Sequence, residues 1–147
     1  VEVITIHPNR TKERIKGQHT AIKYLITLQS CTNARFAIET FEGTRRIFRP
    51  LDIIKFRLPM VLDVSHIRDN QLIERILETY YKHIVTVHLS AKSKTENHLP
   101  IDQFCINIVK KLWKKKWRGN IILEYLPQYS SRMIEDALFL KRMFLDN

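Results

Sequence analysis

Met60-Val-Leu-Asp-Val-Ser-His66 is the stretch that decides the fold. Met60 to Leu62 are consecutive apolar residues, as in a short strand buried on both faces. Asp63 sits where that strand ends, and His66 follows close behind it. A carboxylate and an imidazole at the end of a buried strand can share one metal or sit on neighbouring metals. The rest of the chain repeats the arrangement. Four other β-rich segments end on, or beside, a residue able to ligate a metal or move a proton. Glu2–Ile6 ends at His7, Arg35–Ile38 at Glu39, Ile84–Leu89 at His88, and Asn120–Leu123 at Glu124.

Helical spacing fills the intervals. Residues 11–29 carry Ile15, Ile22, Leu25, Ile26 and Leu28, and a second helix holds Ile47, Leu51 and Ile54 with Pro50 in its first turn. Residues 69–82 turn Leu72, Ile73, Ile76, Leu77 and Tyr80 inward behind Asp69 as N-cap. The next helix buries Phe104, Cys105, Ile108, Val109, Leu112 and Trp113. It closes on the cationic run Lys114–Arg118, with Gly119 expected as its left-handed C′ residue. The last, 130–144, is expected to bury Met133, Ile134, Ala137, Leu138 and Phe144. Strand alternates with helix throughout, which predicts an α/β fold with a parallel sheet. An open doubly wound sheet and a barrel both fit that alternation. Reactive residues at the ends of several different strands favour the barrel. The expectation is a partial (β/α) TIM barrel of about five parallel strands, residues 1–147 forming a single domain.

Composition bounds the function classes. A hydrophobic content of 44% is that of a folded domain. No apolar run approaches the ~18–20 residues of a bilayer span, and no secretory signal opens the chain, so a membrane partner is not expected. Cys31 and Cys105 have no metal or redox spacing and read as reduced thiols of a cytoplasmic protein. The net charge of +10 favours an anionic partner, nucleic acid or a phosphorylated small molecule. Gly17, Gly43 and Gly119 cannot compose a phosphate-cradling glycine loop.

The candidate ligands are His7, Glu39, Asp63, His66, His88 and Glu124, with Glu96 and His98 in the loop after the fourth strand. Mixed imidazole and carboxylate donors suit zinc, manganese or cobalt better than magnesium or calcium. Taken singly, each residue has a commoner role as an N-cap, an arginine partner or a core histidine; what points to a site is their repetition on separate strands. His19 and His83 fall outside the pattern. Two basic loops would share the rim. Arg10, Lys12, Arg14 and Lys16 follow His7. Arg45, Arg46 and Arg49 follow Glu39, interleaved with Phe41 and Phe48, and guanidinium groups suit bidentate phosphate contacts. The Lys110–Arg118 run lies at the far end of its helix and reads as a solvated face.

In their order, Ile6-His7-Pro8, Ala37-Ile-Glu39, Val61-Leu-Asp-Val-Ser-His66, Val87-His-Leu-Ser90, Glu96-Asn-His98 with Leu99-Pro100, and Ile122-Leu-Glu124 resemble the xylose-isomerase-like TIM-barrel superfamily. That superfamily holds sugar isomerases and epimerases and the endonuclease IV class of DNA repair enzymes. The resemblance spans nearly the whole chain and implies roles. Glu39, Asp63, His88 and Glu124 match the shared metal ligands, and Glu39 and Glu124 match the acid/base pair of the isomerases. His66 matches a substrate contact in those enzymes and a ligand in endonuclease IV; His7 matches a further endonuclease IV ligand. Three departures stand against it. Val1 falls at the fourth strand of such a barrel, leaving the first three strand–helix units outside the chain. The step after His98, Leu99-Pro-Ile-Asp102, lacks the family's glycine. Glu96-x-His98 stands where endonuclease IV has Asp-x-His.

The implied activity is a metal-dependent sugar or sugar-phosphate isomerase or epimerase, with Glu39 and Glu124 moving a proton on either face of a carbon beside a carbonyl. The alternative is a metal-dependent phosphodiesterase acting on abasic DNA, which would use His7, His66, Glu96 and His98 as well. A non-catalytic partial barrel is the third. For an open half-barrel, little turnover alone and self-association through the exposed edges are expected.

Overall fold

The computed structural model of the protein describes residues 2–145. Its strands are β1 (Val3–Ile6), β2 (Arg35–Glu39), β3 (Met60–Asp63), β4 (Ile84–Leu89) and β5 (Asn120–Leu123). Helices follow each strand in turn: α1 (Arg14–Cys31), α2 (Pro50–Lys55), α3 (Asn70–Thr79), α4 (Gln103–Lys114) and α5 (Ser130–Leu145). The strands lie side by side in chain order and every neighbouring pair is parallel. Twisted parallel strands joined by helical crossovers curl, and here they form a half-barrel of (β/α) units, the partial barrel expected from the alternation.

The period of two along each strand sorts its side chains. Ile38, Met60, Leu62, Val87 and Leu89 point into the layer beneath the helices. There they meet Ile53, Ile73, Ile76, Leu77, Ile108 and Leu112, all essentially inaccessible. Each such side chain contributes about 1.5–3 kcal/mol by leaving water. Ala37, Val61 and Val85 form a separate small cluster on the other face, with Val3 against it. Two residues further along β2 and β3 the same alternation places Glu39 and Asp63 above this apolar floor. A register shift between Met60 and Val61 puts Asp63 opposite His88, while Glu39 pairs with Val61 and Ile122 with His88. Strand stagger thus sets the carboxylates at stepped heights around His88.

Two helices turn differently from their apolar spacing. In α1 the stripe facing the sheet is Gln18, Ala21, Ile22 and Leu25, whereas Ile15 and Ile26 are 68% and 66% exposed and Leu28 is exposed too. Polar side chains set that rotation. Gln18 donates to the Ile47 carbonyl at 2.7 Å, and Gln29 donates to the Ala34 carbonyl at 2.8 Å. In α5 the buried stripe is Asp136, Leu140 and Phe144, one turn apart, and Ile134, Ala137 and Leu138 are exposed. Asp136 accepts from the Tyr125 hydroxyl at 2.7 Å and from Arg132 at 3.1 Å, which fixes that helix against the end of β5. Trp113, expected inward, is half exposed against the Phe144 ring.

Asp69 caps α3 as expected, accepting from the Gln71 amide. The helix α4 does not close on Gly119. Lys116 takes the left-handed conformation (φ 55°), its amide bonding Trp113 and that of Trp117 bonding Leu112, the paired pattern of a Schellman end. Gly119 answers a different demand: a Cβ there would lie 2.0 Å from the Trp117 ring and 2.5 Å from the Val85 carbonyl oxygen.

Candidate metal centre

The site is built around Asp63, which is fully buried. Thr40, also buried, accepts the Asp63 amide at 2.9 Å and so locks the end of β2 to the end of β3. Just past the strand the chain folds back over the Asp63 carboxylate. Oδ1 accepts the Ser65 amide and hydroxyl, each at 2.8 Å, and the His66 amide at 3.1 Å. That is an Asx turn, a local habit of aspartate. It saturates Oδ1 and leaves Oδ2 without a hydrogen bond.

Imidazoles and carboxylates converge on that bare oxygen. His66 Nδ1 lies 3.2 Å from Asp63 Oδ2 and 3.0 Å from Glu39 Oε1. His88 Nδ1 lies 3.8 Å from both Asp63 Oδ2 and Glu39 Oε2, and 3.0 Å from Glu124 Oε2. His7 approaches Glu39 Oε2 to 2.7 Å without hydrogen-bond geometry. Glu39 Oε2, Asp63 Oδ2 and His88 Nδ1 are therefore buried polar atoms with no hydrogen-bond partner, grouped on one point. Buried atoms of this kind are costly unless something satisfies them. Burial pushes Asp63 up, but facing His88, the charge on His66 and the Ser65 bonds outweigh it and hold the carboxyl below its ordinary value. Burial pulls His88 down, yet Asp63 and the charges of Glu39 and Glu124 raise it above its ordinary value. Both directions describe a pocket that attracts positive charge.

The buried donor set could hold a metal ion. Ligand atoms about 2.0–2.2 Å from a tetrahedral centre lie about 3.4 Å from one another, close to the 3.2–3.8 Å separations of Asp63, His66 and His88 from their facing donors. Two groups form, and they share Asp63: Glu39 with Asp63 and His88, and Asp63 with His66 and His98. His98 reaches the second by a left-handed backbone (φ 57°), pinned where its carbonyl accepts the Leu126 amide. Its ring stands edge-on to His66 at 5.0 Å, and its Nδ1 lies 3.5 Å from the Ser65 hydroxyl.

The other expected residues lie around this core. His7 and Glu124 flank it from the two edge strands, 68% and 46% exposed. Glu96 points elsewhere, its carboxylate accepting from Gln128 at 3.5 Å. Arg46 donates to the Pro8 carbonyl and covers the Phe41 ring, Arg49 pairs with Asp52, and Arg45 is exposed. The loops after β1 and β2 are zipped together by the Arg10–Arg46 bridge, with the Thr11 amide on the Arg45 carbonyl. Sequence reasoning named Phe41 only beside the rim arginines and missed its contacts: its ring stacks on His66 at 4.0 Å and edges His7. It also missed Thr40 and Ser65. The Asp-x-Ser spacing is a legible signal for Ser65; nothing local marks Thr40. No family model matches this chain, and no curated protein gives a significant match. Among the described residues no helix is long and apolar enough to cross a membrane.

Proposed function

We propose that this half-barrel is a divalent-metal protein whose two ligand groups share Asp63, and that the centre serves metal-dependent hydrolysis of a phosphodiester. The observation that carries the proposal is the trio of buried, unbonded donors on Glu39, Asp63 and His88 beside a second group that reuses Asp63. Zinc, manganese or cobalt ions held there would supply Lewis acidity toward a phosphoryl oxygen and toward attacking water. The chain's own residues would do the rest. Asp63 would be shared between the groups, His66 and His98 would complete the outer one, and Glu124, 3.0 Å from His88 Nδ1, would add a donor to the inner one. Exposed Arg45 and the Arg10 and Lys12 side chains offer cationic contacts on the rim for the rest of an anionic substrate. The resemblance to the endonuclease IV class supports the same reading, with abasic DNA as substrate.

A sugar or sugar-phosphate isomerase or epimerase is the second reading, and the open position of Glu124 favours it. Against it stands Glu39, which is 2% exposed and faced by His7, His66 and His88. A carboxylate so enclosed is poorly placed to take a proton from a substrate carbon. Metal titration of chelator-stripped protein tests the proposal, with cobalt(II) absorption and elemental analysis as readouts. Two ions per chain are expected; a chain that takes none overturns the metal centre, and one that takes a single ion returns the choice to the isomerase. Cleavage of an abasic duplex, set beside solvent-deuterium incorporation into sugar phosphates, then separates the reactions.

A further inference from the structure

Lys92 is a half-buried ammonium that no part of the metal centre uses directly. It lies in the loop after β4, the same loop that carries His98, and the reciprocal bonds between Ala91 and Leu99 close the base of that loop. Its side chain crosses to the connection between β3 and α3. There Nζ donates to the Val64 carbonyl at 3.0 Å and to the Ile67 carbonyl, with the Phe104 ring 5.8 Å away. Between those two carbonyls lie Ser65 and His66, whose amides donate to Asp63 Oδ1. One short segment is thus held twice, by a carboxylate on its amides and by an ammonium on its carbonyls. Arg68, donating to the Ser93 carbonyl at 2.5 Å, joins the same two loops a second time.

We infer that Lys92 is a positioning residue that holds the His66 loop against the His98 loop and so assembles the ligand group formed by Asp63, His66 and His98. The inference rests on the metal-centre reading. The physical reason is the number of bonds. A lysine ammonium has three donors and no acceptor, so it bonds both carbonyls at once, which a methionine thioether, having no donor, cannot do. Partners of this kind fix ligand orientation, and losing one lowers metal affinity by about 10–100-fold. The inner group of Glu39, Asp63 and His88 is carried by strand ends and the Thr40 lock, so it does not depend on the clamp.

The test is Lys92→Met in the full chain, titrated with cobalt(II) alone beside the parent and Lys92→Arg. The expected result is an inner position unchanged within about threefold and an outer one weakened about 10–100-fold, with Lys92→Arg recovering most of the loss. Unchanged binding at both positions, or equal loss at both in a folded variant, overturns the inference. Lys92→Leu replaces the Met variant under the same criteria if that chain does not fold. A second readout needs no metal. Amide hydrogen exchange at Ser65 and His66 should speed up at least tenfold relative to Val87 and Leu89; no change overturns the inference. If the parent takes up no metal, the metal-centre reading fails, and this exchange measurement still decides whether Lys92 holds the loop.

Discussion

Asp63→Asn and Asp63→Ala separate the two tasks of one carboxylate. Oδ1 accepts three hydrogen bonds from Ser65 and His66, and Oδ2 is the bare ligand atom. Asparagine keeps an acceptor for the turn and replaces Oδ2 with an amide nitrogen that cannot ligate; alanine removes both. Hydrogen bonds to a charged acceptor are worth about 1.5–3 kcal/mol each, so three at the lower bound cost the alanine variant about 4.5 kcal/mol. Relief of repulsion between the Glu39 and Asp63 carboxylates offsets part of this, leaving about 3 kcal/mol. For a urea m-value of about 1.5 kcal/mol/M the midpoint drops by about 2 M. The asparagine variant should stay within about 1 kcal/mol of the parent. Both should bind cobalt(II) far more weakly. Urea unfolding followed by circular dichroism in chelator, paired with the metal titration, measures both quantities. An alanine variant with the parent's midpoint would refute the argument from Oδ1, and an asparagine variant with the parent's metal affinity would refute the argument from Oδ2.

Gly119→Ala should lower stability by about 2–4 kcal/mol, because its Cβ would overlap the Trp117 ring and the Val85 carbonyl. Gly17→Ala, inside α1 with only ordinary contacts around the new methyl, should raise it by about 0.5–1 kcal/mol; thermal melts compare the two. Thiol titration should find Cys31 reactive in the native protein and Cys105 reactive only on unfolding, since burial pushes the Cys105 thiol up to about 12. Burial raises Asp52, but the Arg49 amide and guanidinium and the Arg14 charge outweigh it and hold the carboxyl below its ordinary value. Its stabilising contribution is whole above the unfolded titration near pH ~4 and is lost as pH falls through the lower folded value. Acid unfolding of Asp52→Asn should therefore be shallower than the parent's in that window. Ile4, Ile121 and Ile122 leave apolar side chains exposed on both edge strands; sedimentation velocity should show concentration-dependent self-association, and a monomer at every concentration would count against it.

The sequence by itself determined the alternation of strand and helix, hence the parallel sheet, because apolar runs and helical periodicity are local properties of the chain. It also placed Glu39, Asp63, His88 and Glu124 at strand ends, which the period of two turns toward one face. Whether such residues meet is not local. The register shift at Met60 that sets Asp63 opposite His88, and the left-handed His98 that brings its ring to His66, depend on packing between segments far apart in sequence. The rotations of α1 and α5 were hidden for a related reason. Their buried stripes contain Gln18 and Asp136, polar residues that periodicity assigns to solvent and that only a specific partner, the Ile47 carbonyl or the Tyr125 hydroxyl, can draw inside. Glu96 shows the converse. It sits in sequence where a ligand was expected, and the loop turns its carboxylate to Gln128, because two residues on a bending loop share no fixed face.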